Sequence, residues 1–269
     1  MDRPAAPLMP KIALRDLRKE FATQDGLFVA IDGLTLDIAA GQFFVIVGPS
    51  GCGKTTLIRI LAGLEPASGG TFDVQVESAD RPGNSMVFQG DSIFPWMTVW
   101  DNAAYGLKMR GIAAAKIKAT VGYYLDRTGL TRFADRFPHQ LSGGMKQRVS
   151  IARAFANDPE VLLMDEPFSA LDEQNKTLLQ QELLRIWEET RKTVVFITHS
   201  VDEAVTLGDR IMVMSAHPGR LKSLIDVPFP RPRNVLELRH EPAYGELVYR
   251  IWGDLRDEVD RAKEQEMAR

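Results

Sequence analysis

The sequence predicts an α/β fold with a parallel sheet, and three observations carry that expectation. Four short runs are apolar nearly throughout: Phe43 to Val47, Val161 to Met164, Thr193 to Ile197 and Ile211 to Met214. Runs of this length suit strands buried on both faces. Stretches with helical patterning lie between them, at Lys54 to Ala62, Lys176 to Thr190 and Val201 to Thr206; such alternation marks parallel strands joined by crossover helices. Finally, 269 residues, 45% of them hydrophobic, suffice for one large domain with at most a small appendage.

Taken in order, the elements fill in that layout. Residues Phe28 to Ile38 alternate apolar and polar around an interruption at Gly33, which reads as a β-hairpin. Phe43 to Val47 ends at Gly48 and leads into the helical stretch from Lys54. From Gln89 to Leu141 no comparable strand run occurs, and Ala113 to Leu130 reads as helix. A helical insertion of about residues 92–158 is therefore expected inside the sheet domain. The segment Pro228-Phe229-Pro230-Arg231-Pro232-Arg233 closes that domain, because proline blocks both helix and ladder bonding. The domain so delimited spans residues 11–236. In the tail, residues 237–269, Tyr244, Leu247, Val248, Ile251, Trp252, Leu255 and Val259 recur at helical spacing and give one apolar stripe. A helix docked on its own domain is the plain reading; an intersubunit or regulatory role is the alternative.

Composition excludes several function classes. With 33 basic and 36 acidic residues, the chain has a net charge of −3. It lacks the basic excess of a nucleic-acid binder. Its one cysteine, Cys52, allows no internal disulfide framework and fits a reducing compartment. The start, MDRPAAPLMPKIALRD, holds no apolar core long enough for a signal peptide, and the longest apolar runs fall far short of the roughly 20 residues of a spanning helix. The expectation is a cytosolic chain that reaches a membrane only through a partner.

Three segments carry chemistry. Gly48-Pro49-Ser50-Gly51-Cys52-Gly53-Lys54-Thr55 fits G-x-x-x-x-G-K-[ST] between a strand and a helix, with Thr56 following. Its glycines let backbone N–H groups converge on phosphate oxygens, and the helix N-terminus adds a favourable dipole. Lys54 can reach terminal phosphates and the Thr55 hydroxyl can ligate Mg²⁺. Cys52 reads as a spacer in the loop. Next, four buried-strand residues lead into Asp165-Glu166-Pro167. Asp165 is placed to hold Mg²⁺ through its water shell, and Glu166 to polarise an attacking water as general base. Last, Leu141-Ser142-Gly143-Gly144 opens a helix running from about Met145 to Ala156. Ser142, Gly143 and Gly144 thereby put a hydroxyl, backbone N–H groups and a helix dipole at one exposed spot, a second anion site. Two phosphate sites in one compact domain invite a head-to-tail dimer, each ATP lying between one chain's loop and its partner's Ser-Gly-Gly.

In this ordered set the chain resembles the ATP-binding subunits of ABC transporters, over nearly all of residues 11–236. The family's phosphate loop matches Gly48 to Thr55. Its LSGGQ signature matches Leu141 to Met145, with Met145 in place of the commoner glutamine. Its Q-loop matches Gln89, its D-loop Ser169-Ala170-Leu171-Asp172, and its switch histidine His199. The resemblance implies a P-loop NTPase with a RecA-like core, a small N-terminal antiparallel β subdomain and an inserted α-helical subdomain. It implies that Gln89 contacts Mg²⁺ and the attacking water and senses the membrane subunit, and that His199 contacts the γ-phosphate. It also implies an aromatic platform for adenine ahead of the first strand pair, which Phe21 fits best and Phe28 rivals. His139, His217 and His240 lack metal-ligand spacing and read as surface residues.

The tracts Phe94-Pro95-Trp96, Val99-Trp100-Asp101-Asn102 and Ala216-His217-Pro218-Gly219-Arg220 resemble those of importers for nitrate, sulfonates and taurine. That group implies integral membrane permease subunits as partners, an extracytoplasmic solute-binding protein acting indirectly, and a peripheral place on the cytoplasmic face of the inner or plasma membrane. An exporter ATPase, or an importer ATPase for another solute, is the nearest rival. Non-transport ABC ATPases are disfavoured, because no zinc module or heptad run separates Gln89 from Leu141.

Overall fold

The computed structural model describes residues 9–267 apart from Asp25, Asp91 and Ala170, and apart from the side chains of Gln265 and Glu266. Met1 to Leu8, at the start of the expected leaderless N-terminus, and Ala170 of the D-loop lie outside the described residues. The apolar runs become β3 (Phe43–Val47), β6 (Val161–Asp165), β7 (Thr193–Ile197) and β8 (Arg210–Met214). With β5 (Asn84–Val87) and β9 (Leu221–Asp226) they form a six-stranded sheet of order β5-β6-β7-β3-β8-β9, parallel except for β9. The two strands of this sheet that periodicity misses are both edges. β5 has only one fully buried residue, and β9 buries only Ile225, with exposed residues at both ends, so neither shows a continuous apolar run.

Inward pleating splits the core into two layers. Phe43, Val45 and Val47 pack with α5 (Glu173–Thr190) and α6 (Val201–Leu207), including an edge-on contact of 5.5 Å between Phe43 and Trp187. Phe44 and Ile46 face the other way, onto Leu57 and Ile58 of α1 (Lys54–Leu61). A strand residue buried this completely contributes about 1.5–3 kcal/mol. On the α1 side sits a second, antiparallel sheet of order β2-β1-β4, made of β1 (Ile12–Thr23), β2 (Gly26–Ile38) and β4 (Gly69–Val74). Here the hairpin reading needs correction. The chain reverses between Thr23 and Gly26, and β2 runs unbroken through Gly33. Leu17 pairs with Leu34 and Lys19 with Ile31, so Asp32 and Gly33 together oppose Arg18. Gly33, at φ 66°, accommodates that β-bulge rather than a turn.

Helices α2 (Val99–Met109), α3 (Ala114–Arg127) and α4 (Gly143–Ala156) pack together between β5 and β6 in sequence. The buried Asn102 side chain binds the Phe94 backbone through both N–H and C=O and donates to the Met97 and Thr98 carbonyls, fixing the Phe94-Pro95-Trp96 turn. The tail forms α7 (Val235–Leu238) and α8 (Pro242–Met267). Tyr244, Leu247, Ile251 and Leu255 of α8 are buried against the body, Tyr244 reaching Asp202 and Thr206 of α6. Trp252, expected in the same stripe, is half exposed instead. The 3.6-residue pitch carries it to the stripe's edge beside the exposed Tyr249. Among the described residues no helix is long and apolar enough to cross a membrane.

Candidate active site

The site lies at the C-terminal edge of the parallel strands. Because β5, β6 and β7 are adjacent and parallel, the residues just past their ends come together: Gln89 after β5, Glu166 after β6 and His199 after β7. Next to β7 stands β3, which feeds the glycine loop. This is the crevice where open α/β sheets bind ligands.

Gly53, at φ 99°, precedes α1 and brings no side-chain cap, so the helix's leading N–H groups face the loop as anion donors. Lys54 is buried and arched over the loop, its Nζ donating to the carbonyls of Gly48 (2.8 Å) and Pro49 (2.9 Å). Cys52 is more than a spacer: it is buried beneath the loop, its Sγ lies 3.9 Å from Lys54 Nζ, and burial pushes its thiol pKa up. The Thr55 hydroxyl donates to Asp165 Oδ1 at 3.3 Å. Burial raises the Asp165 carboxyl above its usual range, against the opposing effect of that hydrogen bond. A hydroxyl beside a carboxylate is the hard oxygen set that Mg²⁺ takes, so the residues fit such an ion.

Glu166 holds a left-handed backbone at φ 45°, unusual for a residue with a side chain. Its N–H donates to the Ile197 carbonyl (3.0 Å), and its own carbonyl accepts from the N–H (3.2 Å) and hydroxyl (3.0 Å) of Ser169. Those bonds over-determine the strained turn. Glu166 Oε2 then lies 3.2 Å from Gln89 Nε2 and 3.2 Å from His199 Nδ1. A cavity of about 350 Å³ joins Gln89 and Glu166 to Ser50, Gly51, Cys52, Gly53, Lys54, Thr55 and Thr56, and on its far side to Phe21, Phe28 and Ala30. Phe21 and Phe28 are cross-strand partners, which is why both reach it. Lys19 Nζ sits 4.7 Å over the Phe21 ring. His217, expected at the surface, is half-buried with its ring 4.2 Å from Phe28. Sequence patterning missed Ala30 and His217; the Pro218-Gly219 pair beside His217 was the available sign of a tight turn.

Ser142, Gly143 and Gly144 do not line this cavity. Ser142 is the N-cap of α4, its Oγ accepting from the Met145 N–H at 3.3 Å, so the helix begins at Gly143, two residues earlier than expected. Ser142 and Gly143 are exposed, and Gly144 packs toward Leu171.

A family profile described as "ABC transporter" matches residues 31–169. The chain belongs to the ABC transporter family. It is an ATP-binding subunit with ATPase chemistry, built on the P-loop NTPase fold. Among its relatives, the nitrate import ATP-binding protein NrtD of Synechocystis is 41% identical over 87% of this chain and 90% of its own. The taurine import ATP-binding protein TauB of Roseobacter denitrificans is 39% identical over 95% of this chain and 99% of its own. Among solved structures, the dimeric bacterial ABC cassette MJ0796 has a TM-score of 0.71 at 30% identity, covering 81% of this chain and all of that one. The same cassette in a post-hydrolysis state with ADP and Pi matches equally well in shape, at 29% identity.

Proposed function

We propose that this ABC ATPase works as a head-to-tail dimer on the cytoplasmic face of a membrane and energises import of a small anion such as nitrate, a sulfonate or taurine. The observation that carries the catalytic half is the convergence of Gln89 and His199 on one carboxylate oxygen of Glu166. Glu166 acts as general base toward water attacking the γ-phosphate. Gln89 and His199 orient it. Lys54, leaving the carbonyls of Gly48 and Pro49, neutralises the terminal phosphates. Thr55 and Asp165, with Gln89 nearby, hold Mg²⁺, which when bound offsets phosphate charge. Phe21 offers the base a π face, and Ser142, Gly143 and Gly144 of a second copy close over the phosphates from the other side. The dimeric MJ0796 cassette supports that assembly.

Nucleotide-driven closure passes to permease subunits through the groove between the sheet and the helical layer. Leu64, Phe88, Phe94, Tyr105 and Arg153 line it, and Trp96 stands exposed beside Phe94. An extracytoplasmic binding protein selects the solute. The similarity to NrtD and TauB supports an anion as cargo. The test is ATPase rate in proteoliposomes holding this chain, its permease and its binding protein, against a panel of anions, sugars and amino acids. Stimulation by one narrow class of anion is expected. Stimulation by a sugar or an amino acid alone overturns the substrate reading and leaves the ATPase intact.

A further inference from the structure

The base end of the cavity is built on a loop that the tail helix holds. Residues 215–220 close on themselves. The Ser215 N–H donates to the Arg220 carbonyl (3.0 Å), and Ser215 Oγ accepts from the Arg220 N–H (3.0 Å) and donates to the Pro218 carbonyl (3.0 Å). The loop is locked to β2 by the Gly219 N–H donating to Ala30 O (3.0 Å) and the Asp32 N–H donating to Gly219 O (3.1 Å). A Cβ at Gly219 would stand 2.1 Å from the Cys52 carbonyl, so the loop also abuts the phosphate loop. From it His217 packs on Phe28.

Besides the Arg220–Asp32 ion pair to β2, one side chain of α8 secures this loop. The Ala216 N–H donates to Glu258 Oε2 at 2.8 Å, a buried hydrogen bond from the loop to α8. The Glu258 carboxylate is only 3% exposed and pairs through its other oxygen with Lys222 (2.9 Å) and Arg261 (3.0 Å). A charge-assisted bond to a buried N–H is strong, and removing the acceptor leaves the donor unsatisfied. Nothing in the hydrolysis chemistry uses Glu258.

We propose that Glu258 is a positioning residue for the base-binding end of the nucleotide pocket, acting through Ala216 to set His217 and Phe28. The proposal rests on the reading that Phe21 and Phe28 face the base. It makes α8 a determinant of nucleotide affinity. The phosphate end touches this loop only at Gly219 and also has ties of its own, the bonds of Lys54 to its own loop and the continuation from β3. Loss of Glu258 therefore acts on ATP more than on a ligand that is phosphate alone.

The test compares Glu258→Ala and Glu258→Gln in the full chain, measuring KM and kcat for MgATP and the Kd of ATP and of inorganic tripolyphosphate. Glu258→Ala is expected to raise KM and Kd for ATP about fivefold to twentyfold. Its kcat should change by less than about twofold, and tripolyphosphate binding should weaken at least about threefold less than ATP binding. Glu258→Gln keeps an acceptor for Ala216 and should restore most of the affinity; it also serves if Glu258→Ala does not fold. Trp252→Ala, on the exposed face of α8, should change neither constant. Equal losses for ATP and tripolyphosphate, or a fall in kcat without a change in KM, overturn the proposal in favour of general damage. If Phe21→Ala and Phe28→Ala weaken ATP binding but Glu258→Ala does not, positioning through α8 fails alone. If neither phenylalanine matters, the reading of the base end fails first.

Discussion

The two ends of the nucleotide cavity are made in different ways. The phosphate end is assembled from residues close in sequence, Gly48 to Thr56, and from strand ends that the parallel sheet places side by side. Its groups include backbone N–H, the Lys54 ammonium, the Thr55 hydroxyl, the Asp165 and Glu166 carboxylates, the Gln89 amide and the His199 ring, whose positions are set by hydrogen bonds near 3 Å. The proposed base end is formed by Phe21 and Phe28 of β1 and β2 and backed by the 215–220 loop and α8, largely through ring contacts. Phosphate is a fixed pattern of charge and needs fixed donors. A base offers a π face that many aromatic arrangements can meet.

That contrast can be broken or sharpened by substitution. The largest effect belongs to the phosphate end: Glu166→Gln should retain ATP binding while hydrolysis falls by about 10²–10⁴-fold. Gel filtration with MgATP should then show an accumulated dimer. Hydrolysis near the wild-type rate would remove Glu166 from the role of base. Next comes the shared closure. Homodimers of Ser142→Arg or of Lys54→Ala should lose nearly all activity, whereas mixed dimers keep part of it through one intact pocket. Normal turnover by Ser142→Arg homodimers would mean that this exposed N-terminus does not face an ATP.

At the base end the expected effects are smaller. Phe21→Ala should weaken nucleotide affinity by about 1–2 kcal/mol with the fold intact. Phe28→Ala should weaken it less and should also lower the unfolding midpoint, because that ring supports His217. The reverse pattern in nucleotide titrations would move the adenine platform to Phe28. The smallest effect concerns Glu203, buried near His199, where Thr198 Oγ1 donates to it at 2.5 Å. Burial outweighs this bond and the nearby Lys176 and raises its pKa above the ordinary glutamate range. A raised folded-state pKa means that ionisation opposes folding. That penalty is absent below the unfolded pKa and complete once pH passes the folded one. Glu203→Gln should therefore be neutral or stabilising by up to about 1 kcal/mol near pH 8, with the advantage vanishing near pH 4. Thermal melts across that range read the sign directly; an advantage that grows on acidification would contradict it.

Legibility in the sequence follows the same division. Strands buried on both faces announced themselves as apolar runs, so β3, β6, β7 and β8 and the order of the chemistry at their ends could be read directly. Edges could not: β4, β5 and β9 expose a face or a flank and lack a single period. Gly33 misled for a related reason, since a positive φ serves a bulge as well as a turn, and only the partner strand decides between them. At the site, the glycine-loop residues that line the cavity were visible because their spacing is local. His217 and Ala30 were not, because Phe28 and Gly219 meet them only after β2 and the loop beyond β8 are brought together. The stripe on α8 was visible, but Glu258, the residue that ties this helix to the pocket, breaks the apolar pattern and was silent.

The close approach at Gly219 has a bearing on recombination between relatives. Its Cα sits where any side chain would run into the Cys52 carbonyl and the Met214 side chain, at 2.1 and 2.2 Å. The phosphate loop and the 215–220 loop therefore meet directly at this one point, although more than 150 residues of chain separate them. A chimera that imports Gly48 to Thr55 from another cassette must import the matching later loop as well. A crossover placed between the two would join halves whose backbones were never shaped against each other.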